Sequence, residues 1–317
     1  MPYLLKSCLL IAVSFVLIVA CQPTEIQETD VSQAQSTECR TVQHKLGEIC
    51  IPPDPQRIVA LDPRYLGDPL LALGVKPVGM SVYSYSGEEG FAGPTSDDIE
   101  GIEIVGNADQ PSLEKILTLN PDLILAMDFA HEAIYEQLLA IAPTVLLQYE
   151  STEDEEYTSF KVNLRRIAQI VDKEAEADAV LARYQARIEQ LRQQLSRQPE
   201  NIEVAVLIYY DGNFAITFPE HTTHEIFSDI GLTNKIDSAR ANAISPEVID
   251  QYDADILFIM DYEQRGESFF LENPLITSLE AVKNNRVYFV SPDTWSANGP
   301  IGVNRILDDL FKYLPEE

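Results

Sequence analysis

Four cysteines and four histidines are the residues of this chain best equipped for covalent or metal chemistry, and their spacing limits what they can do. Cys39 and Cys50 flank two short strand-like stretches, Thr41 to Gln43 and Glu48 to Ile51, around the turn Lys45-Leu46-Gly47. A disulfide across that hairpin is expected in an oxidising compartment, and a pair of reduced thiols elsewhere. Only His44 is near them, so a metal site there lacks ligands. His221-Thr222-Thr223-His224 is an HxxH pair at a helix start, again two ligands without a third. No G-x-S-x-G elbow, HExxH helix or phosphate-cradling glycine loop is present. The 51 acidic residues supply chance carboxylate pairs freely, so none stands out as an acid–base couple. The inventory favours binding over catalysis, with a secreted hydrolase as the alternative.

Cys8 and Cys21 belong to the amino-terminal segment. Lys6 gives a minimal positive region, and Leu9 to Ala20 is apolar but for Ser14. That run is short of the roughly 20 residues a membrane span needs, and it reads as a signal peptide. It ends in Ile18-Val19-Ala20-Cys21, which resembles the bacterial lipobox, in which the cysteine is acylated and becomes the new amino terminus. Residues 1–20 are read as the lipoprotein signal and 21–38 as a flexible polar tether. The net charge of −29 argues against nucleic acid and against a polybasic membrane patch, and suits an exported protein.

Beyond the tether, strand and helix signals alternate. Arg57 to Leu61, Lys76 to Met80, Ile102 to Val105, Asp122 to Ala126 and Thr144 to Tyr149 read as strands. Helices run between several of them: Leu66 to Leu73, a helix capped by Ser112, and His131 to Ala140. Alternation of this kind predicts a mainly parallel sheet covered on both faces. From Glu153 to Arg197 there is neither Gly nor Pro, and apolar residues recur at helical spacing. Two helices are expected there, meeting near Asp172 as an N-cap, the second about 25 residues long and acting as a stiff strut. After Pro199 the β/α pattern resumes, with Glu203 to Tyr210 and Asp255 to Met260 as strands and Thr222 to Ile230 and Gly299 to Leu314 as helices. The expected fold class is α/β: one lobe at 39–150, a helical connector at 151–198 and a second lobe at 199–317.

Gln110-Pro111-Ser112-Leu113-Glu114-Lys115-Ile116-Leu117-Thr118-Leu119-Asn120-Pro121-Asp122-Leu123-Ile124 resembles the central signature of periplasmic iron-siderophore- and cobalamin-binding proteins of ABC importers. Leu73 to Gly79, Ile141-Ala142-Pro143 and Val290-Ser291-Pro292-Asp293-Thr294-Trp295 agree in order, the last with the ferric-citrate-like branch. The resemblance implies two Rossmann-like lobes joined by a long rigid helix, with a ferric siderophore held in the cleft between them. It implies a monomeric protein with no resident cofactor, delivering its ligand to an inner-membrane permease dimer with its ATPase. It also implies docking on that permease through Glu114 in the first lobe and Glu247 in the second.

Open α/β sheets bind ligands at the carboxyl ends of their strands. The candidates there are Arg64, Tyr65, Tyr83, Tyr85, Phe129 and His131 in the first lobe. In the second they are Tyr209, Tyr210, Phe214, His221, Tyr262, Arg265, Trp295 and Asn298, with Trp295 the leading contact and Tyr83 and Tyr209 the weakest. Aromatic rings with polar tips suit a bulky, oxygen-rich chelate. Where the ferric-citrate-like branch carries arginines, near Ala108, Ala130 and Asn298, this chain has small or neutral residues, which leaves Arg64 and Arg265. A hydroxamate or citrate–hydroxamate ferric siderophore is therefore expected rather than bare ferric citrate. Haem, with a Tyr or His131 as axial ligand, and cobalamin are the alternative cargoes.

Overall fold

The computed structural model describes residues 39–85, 88–149, 159–195, 202–217, 219–235 and 244–314. The signal segment, Cys21 and the tether lie outside the described residues, as does Tyr157.

The chain opens with an antiparallel hairpin, β1 (Arg40–His44) and β2 (Gly47–Ile51). Gly47 takes a positive φ in its turn, and Cys39 and Cys50 are joined by a disulfide. The Lys45 amide donates to the Leu146 carbonyl and seats the hairpin beside the first sheet.

That sheet contains β3 (Ile58–Ala60), β4 (Gly79–Tyr85), β5 (Glu88–Gly90), β6 (Glu103–Asn107), β7 (Gln110–Pro111), β8 (Leu123–Met127) and β9 (Thr144–Leu147). Its order is β7-β6-β4-β3-β8-β9, with β5 paired to β4. The β6–β4–β3–β8–β9 pairs are parallel. Side chains alternate between the two faces: Ile58, Ala60, Leu123 and Leu125 enter one core, while Val59, Leu61, Ile124 and Ala126 enter the other. Every residue of β8 is buried, as befits a strand covered on both sides. Helices α1 (Asp68–Ala72) and α2 (Leu113–Thr118) lie among the connections, and the Ser112 hydroxyl caps α2 by accepting from the Lys115 amide. The expected His131 to Ala140 helix is broken into a turn at Asp128–His131, a 3-10 turn and a last piece at Tyr135–Leu139.

The second sheet holds β10 (Glu203–Tyr210), β11 (Asn213–Ile216), β12 (Thr233–Lys235), β13 (Ile256–Asp261) and β14 (Val287–Val290), in the order β11-β10-β13-β14 with β12 also on β10. The β10–β11 turn uses Asp211 and Gly212, both at positive φ, as a tight hairpin requires.

Between the sheets run α3 (Phe160–Val171) and α4 (Glu174–Gln194). Asp172 does not cap α4 as expected: it closes α3 in a left-handed conformation (φ 56°), and Lys173 occupies the N-cap position. Asp is among the few non-glycine residues that enter this region readily. Helix α4 has 21 residues, about 31 Å of rise. Its first turns pack Ala177 and Val180 into a first-lobe core, and Tyr184, Ile188 and Leu191 pack into a second-lobe core. One rigid element therefore carries the apolar load of both lobes.

Helix α5 (Thr222–Ile230) is stopped by Gly231 at φ 91°, and α6 (Pro300–Tyr313) closes the chain. The lobes meet again at α6. Asp68, fully buried at the start of α1, accepts the Ile301 amide at 2.8 Å and the Gly302 amide at 2.9 Å. Arg305 on α6 donates to the Gly93 carbonyl and to Asp98, and the Ala92 amide donates to Asp293. A methyl group on Gly299 would collide with the Asp68 carboxyl. Gly299→Ala should therefore cost about 1–3 kcal/mol, the usual penalty for overfilling a packed site, read from the urea midpoint. An unchanged midpoint would remove Asp68 from its place in the lobe junction.

Candidate functional site

Each sheet has a point at which its strand order reverses, and a crevice opens there. In the first lobe it lies between β3 and β8, because the chain runs outward from β3 to β4 and β6 and then returns to β8. In the second it lies between β10 and β13. Aromatic residues follow the strands at both points.

After β3 come Arg64 and Tyr65, in a one-turn π-helix at Pro63–Gly67. Phe129 follows β8 and Tyr149 follows β9. The rings of Tyr65, Phe129 and Tyr149 form an edge-to-face trio with centroids 5.1–6.0 Å apart. Asp128 fixes two of them from the backbone, accepting the Phe129 amide at 2.8 Å and the Tyr149 amide at 3.1 Å, while Lys45 pairs with the same carboxylate at 3.5 Å. Phe129 remains 54% exposed, an apolar face open to a ligand. The Arg64 guanidinium lies 4.6 Å from the Tyr83 ring centre and 5.3 Å from that of Tyr65. In the second lobe Tyr210 and Tyr262 pack edge-on at 5.9 Å, with Tyr210 62% exposed. The Tyr262 hydroxyl hydrogen-bonds Ser296. Arg64 is within electrostatic reach of both His221 and Tyr262, so the two lobes face each other across it. Beside this group a cavity of about 300 Å³ is lined by Glu89 and Gly90 from one lobe and Asp261, Tyr262 and Asp293 from the other.

Three expected contacts lie elsewhere. Trp295 is 0% exposed, its ring 4.5 Å from that of Phe258 and its indole N–H donated to Asp309 at 2.8 Å. Burying about 200 Å² of indole at about 25 cal/mol/Å² is worth about 5 kcal/mol, so this tryptophan serves the core and not the ligand surface. His131 is also 0% exposed. Its Nδ1 accepts the Met127 amide and its Nε2 reaches the Ala108 carbonyl at 2.8 Å, which leaves no nitrogen for an axial metal bond. Asn298, 4% exposed, donates to the Thr222 hydroxyl inside the second lobe and presents no surface to a ligand. Arg265 pairs with Glu263 at 3.6 Å and stacks 4.3 Å over Phe269, so its charge is partly spent within its own lobe. Tyr85 ends β4 and Glu247 sits in the first turn of the 3-10 helix Pro246–Tyr252, with their side chains outside the described part. Glu114 lies exposed in the first turn of α2. Tyr149, Asp62, Asp68 and Asp128 were not singled out by sequence reasoning. Among the described residues no group of three or more His, Cys, Asp or Glu side chains is placed to hold a metal ion, and no helix is long and apolar enough to cross a membrane.

The profile of the family described as periplasmic binding protein matches residues 58–294. A probable siderophore-binding lipoprotein of Bacillus subtilis, YfiY, is 31% identical over 93% of this chain and 93% of its own. The Fe(3+)-citrate-binding protein YfmC of the same organism is 32% identical over 90% of this chain and 91% of its own. Among solved structures, Staphylococcus aureus SirA complexed with staphyloferrin B superposes with a TM-score of 0.71, at 25% identity, over 88% of this chain and 100% of its own.

The buried Asp68 and the half-buried His221 shift in opposite senses. Burial pushes the Asp68 carboxyl up to about 7, against the pull of the Gly302 and Ile301 amides and of Arg305, and with a small push from Asp98. Burial, and then the nearby Arg64 charge, pushes His221 down to about 4, so its ring is neutral and accepts the Thr223 amide through Nδ1. A raised carboxyl means that the folded form holds its proton more tightly than the unfolded chain, near 3.9. Stability from Asp68 is then full below about 4 and falls as pH rises to about 7. The lowered His221 contributes stability above its unfolded value of 6.5, lost as pH falls toward 4. Thermal melts against pH should show Asp68→Asn falling on acidification from pH 6.5 to 4. His221→Gln should instead fall as pH rises from 4 to 7. Parallel profiles for the two variants would contradict these assignments.

Proposed function

The chain belongs to the periplasmic binding protein family, and from that premise we propose that it captures a ferric siderophore between its lobes and delivers it to an ABC importer. The observation that carries the reading is the Arg64 guanidinium packed against the Tyr65 and Tyr83 rings of its own lobe and within electrostatic reach of His221 and Tyr262 of the other. Exposed aromatic faces at Phe129 and Tyr210 give area to a bulky chelate, and the Arg64 guanidinium orients one of its oxygen groups. Relatives named for siderophore and ferric-citrate binding support the cargo. With Arg265 engaged by Glu263 and an overall charge of −29, the site suits a chelate of low negative charge, of the hydroxamate or citrate–hydroxamate type. Haem through His131 is not retained, because both ring nitrogens are occupied.

Glu114 and Glu247 are the docking carboxylates, one on each lobe, and Cys21 carries the lipid that keeps the protein at the outer face of the inner membrane. The protein acts as a monomer on a permease dimer with its ATPase.

Titration of the purified protein with iron chelates of stepped net charge checks the cargo. Tightest binding is expected for the hydroxamate and citrate–hydroxamate complexes, and tightest binding to ferric dicitrate would overturn that preference. Glu114→Arg and Glu247→Arg should leave chelate affinity unchanged while lowering iron uptake by cells at least about tenfold, since like charges facing each other cost several kcal/mol. Normal uptake by both variants would remove the docking role.

A further inference from the structure

Arg64 is tied down at both of its ends to a single buried carboxylate. Asp62 lies two residues beyond the end of β3 and is fully buried. Its Oδ1 accepts the backbone amide of Arg64 at 2.9 Å and that of Tyr65 at 2.7 Å, which caps the π-helical turn. Its Oδ2 accepts the hydroxyl of Tyr83, from β4. The Tyr83 ring in turn lies under the Arg64 guanidinium. A π-helical turn is rare, and it survives here because Pro63 pre-sets the first φ and Asp62 satisfies two amides that the turn leaves open.

The consequence lies in what Arg64 does not have to lose on binding. An arginine side chain carries about 2 kcal/mol of rotamer entropy, and a ligand that must immobilise it bears that cost. Stacking between Tyr83 and Tyr65 removes much of it in advance. Across the lobe junction His221 is neutral, so it adds no second positive charge beside that of Arg64.

We propose that Asp62 and Tyr83 are positioning residues of the ligand site, acting through Arg64 to hold its guanidinium as a fixed anchor for one anionic oxygen group, such as a free carboxylate, on the bound chelate. The proposal rests on the reading of the protein as a ferric-chelate receptor and adds what selects among chelates. Neither residue touches the ligand in this scheme. Asp62 holds the turn and the phenol, Tyr83 holds the guanidinium, and the guanidinium meets the oxyanion.

The test compares two probes, a ferric citrate–dihydroxamate with a free carboxylate and a neutral ferric trihydroxamate. The variants are Arg64→Gln, Tyr83→Leu and Tyr83→Phe. Tyr83→Leu alters no formal charge, yet it should weaken the anionic probe by about tenfold and the neutral probe by less than about threefold, as Arg64→Gln does. Tyr83→Phe keeps the ring, loses the tie to Asp62, and should fall between wild type and Tyr83→Leu. The double variant Arg64→Gln/Tyr83→Leu should lose no more than Arg64→Gln alone, because both act through one group. Equal losses for both probes in Tyr83→Leu and Tyr83→Phe, or additive losses in the double variant, would overturn the positioning role while leaving the receptor reading intact. If the unaltered protein bound neither probe, the receptor reading itself would fall and the proposal with it. Tyr83→Phe keeps the ring, so the charge split stays measurable should Tyr83→Leu fold poorly.

Discussion

A carboxylate from one lobe, gripped by the first turn of a helix from the other, sets the geometry on which the rest depends. Asp68 has no exposure to water, and its oxygens meet the Ile301 and Gly302 amides at the open end of α6. Helix termini present unpaired amides and a partial positive charge, so an anion there gains both hydrogen bonds and dipole attraction. Burial works against it and is the largest influence raising the carboxyl above its ordinary range. Gly93, Gly299 and Gly302 allow the backbones of the two lobes to approach this side chain closely. With α4 embedded in the cores of both lobes, the junction has two separate ties, and two ties resist rotation where one would act as a pivot.

A junction held in this way places the requirements of recognition on pre-formed side chains. The trio Tyr65, Phe129 and Tyr149 is set by the Asp128 carboxylate, and Arg64 is set by Asp62 through Tyr83. In both cases a carboxylate accepts backbone amides and so converts a loop into a fixed platform. These two acids do locally what Asp68 does between lobes. The 51 acidic residues of the chain are therefore not all solvated surface: a few are structural pins at the carboxyl ends of strands.

The sequence made the layered architecture readable wherever local signals agree. Thr222–Ile230 was read with its ends because Gly231 can take φ 91°, and β10 because eight residues from Glu203 to Tyr210 carry a strand pattern up to the Asp211-Gly212 turn. Asp172 was misread because a short acidic side chain suits an N-cap and a left-handed residue equally well, and only the chain path decides between them. Trp295, His131 and Asn298 were misread for another reason. Residue type tells what a side chain can do, but whether it turns inward depends on partners far along the chain: Phe258 and Asp309 for Trp295, Ala108 for His131, Thr222 for Asn298. Tyr149 was passed over as part of a strand; since β9 ends at Leu147, it stands just beyond the strand, at the edge where ligands are met. Asp62 and Asp68 gave one faint signal, since each abuts a proline at the start of a helical turn, but among so many acids that signal was lost.

The charge of the whole and the charge of the site pull in different directions. A body at −29 repels anions at long range, but salt screens that repulsion within about 8 Å at physiological ionic strength. Inside the junction screening is weaker, so the charge of the Arg64 guanidinium, with His221 neutral across from it, is felt more strongly there. On the proposed reading, a single oxyanion is what this guanidinium is placed to meet. On that reading, the limit on ligand charge is set by the cations anchored at the junction. It does not follow from the number of lysines and arginines in the chain, most of which meet carboxylates or backbone carbonyls of their own, as Arg40, Arg57, Arg187 and Arg305 do. Evolution of a more anionic cargo in this scaffold would require a second guanidinium at a carboxyl end of a strand and a carboxylate beneath it to hold the turn. Ala108 directly follows β6, and Ala130 lies in the helical turn that follows β8.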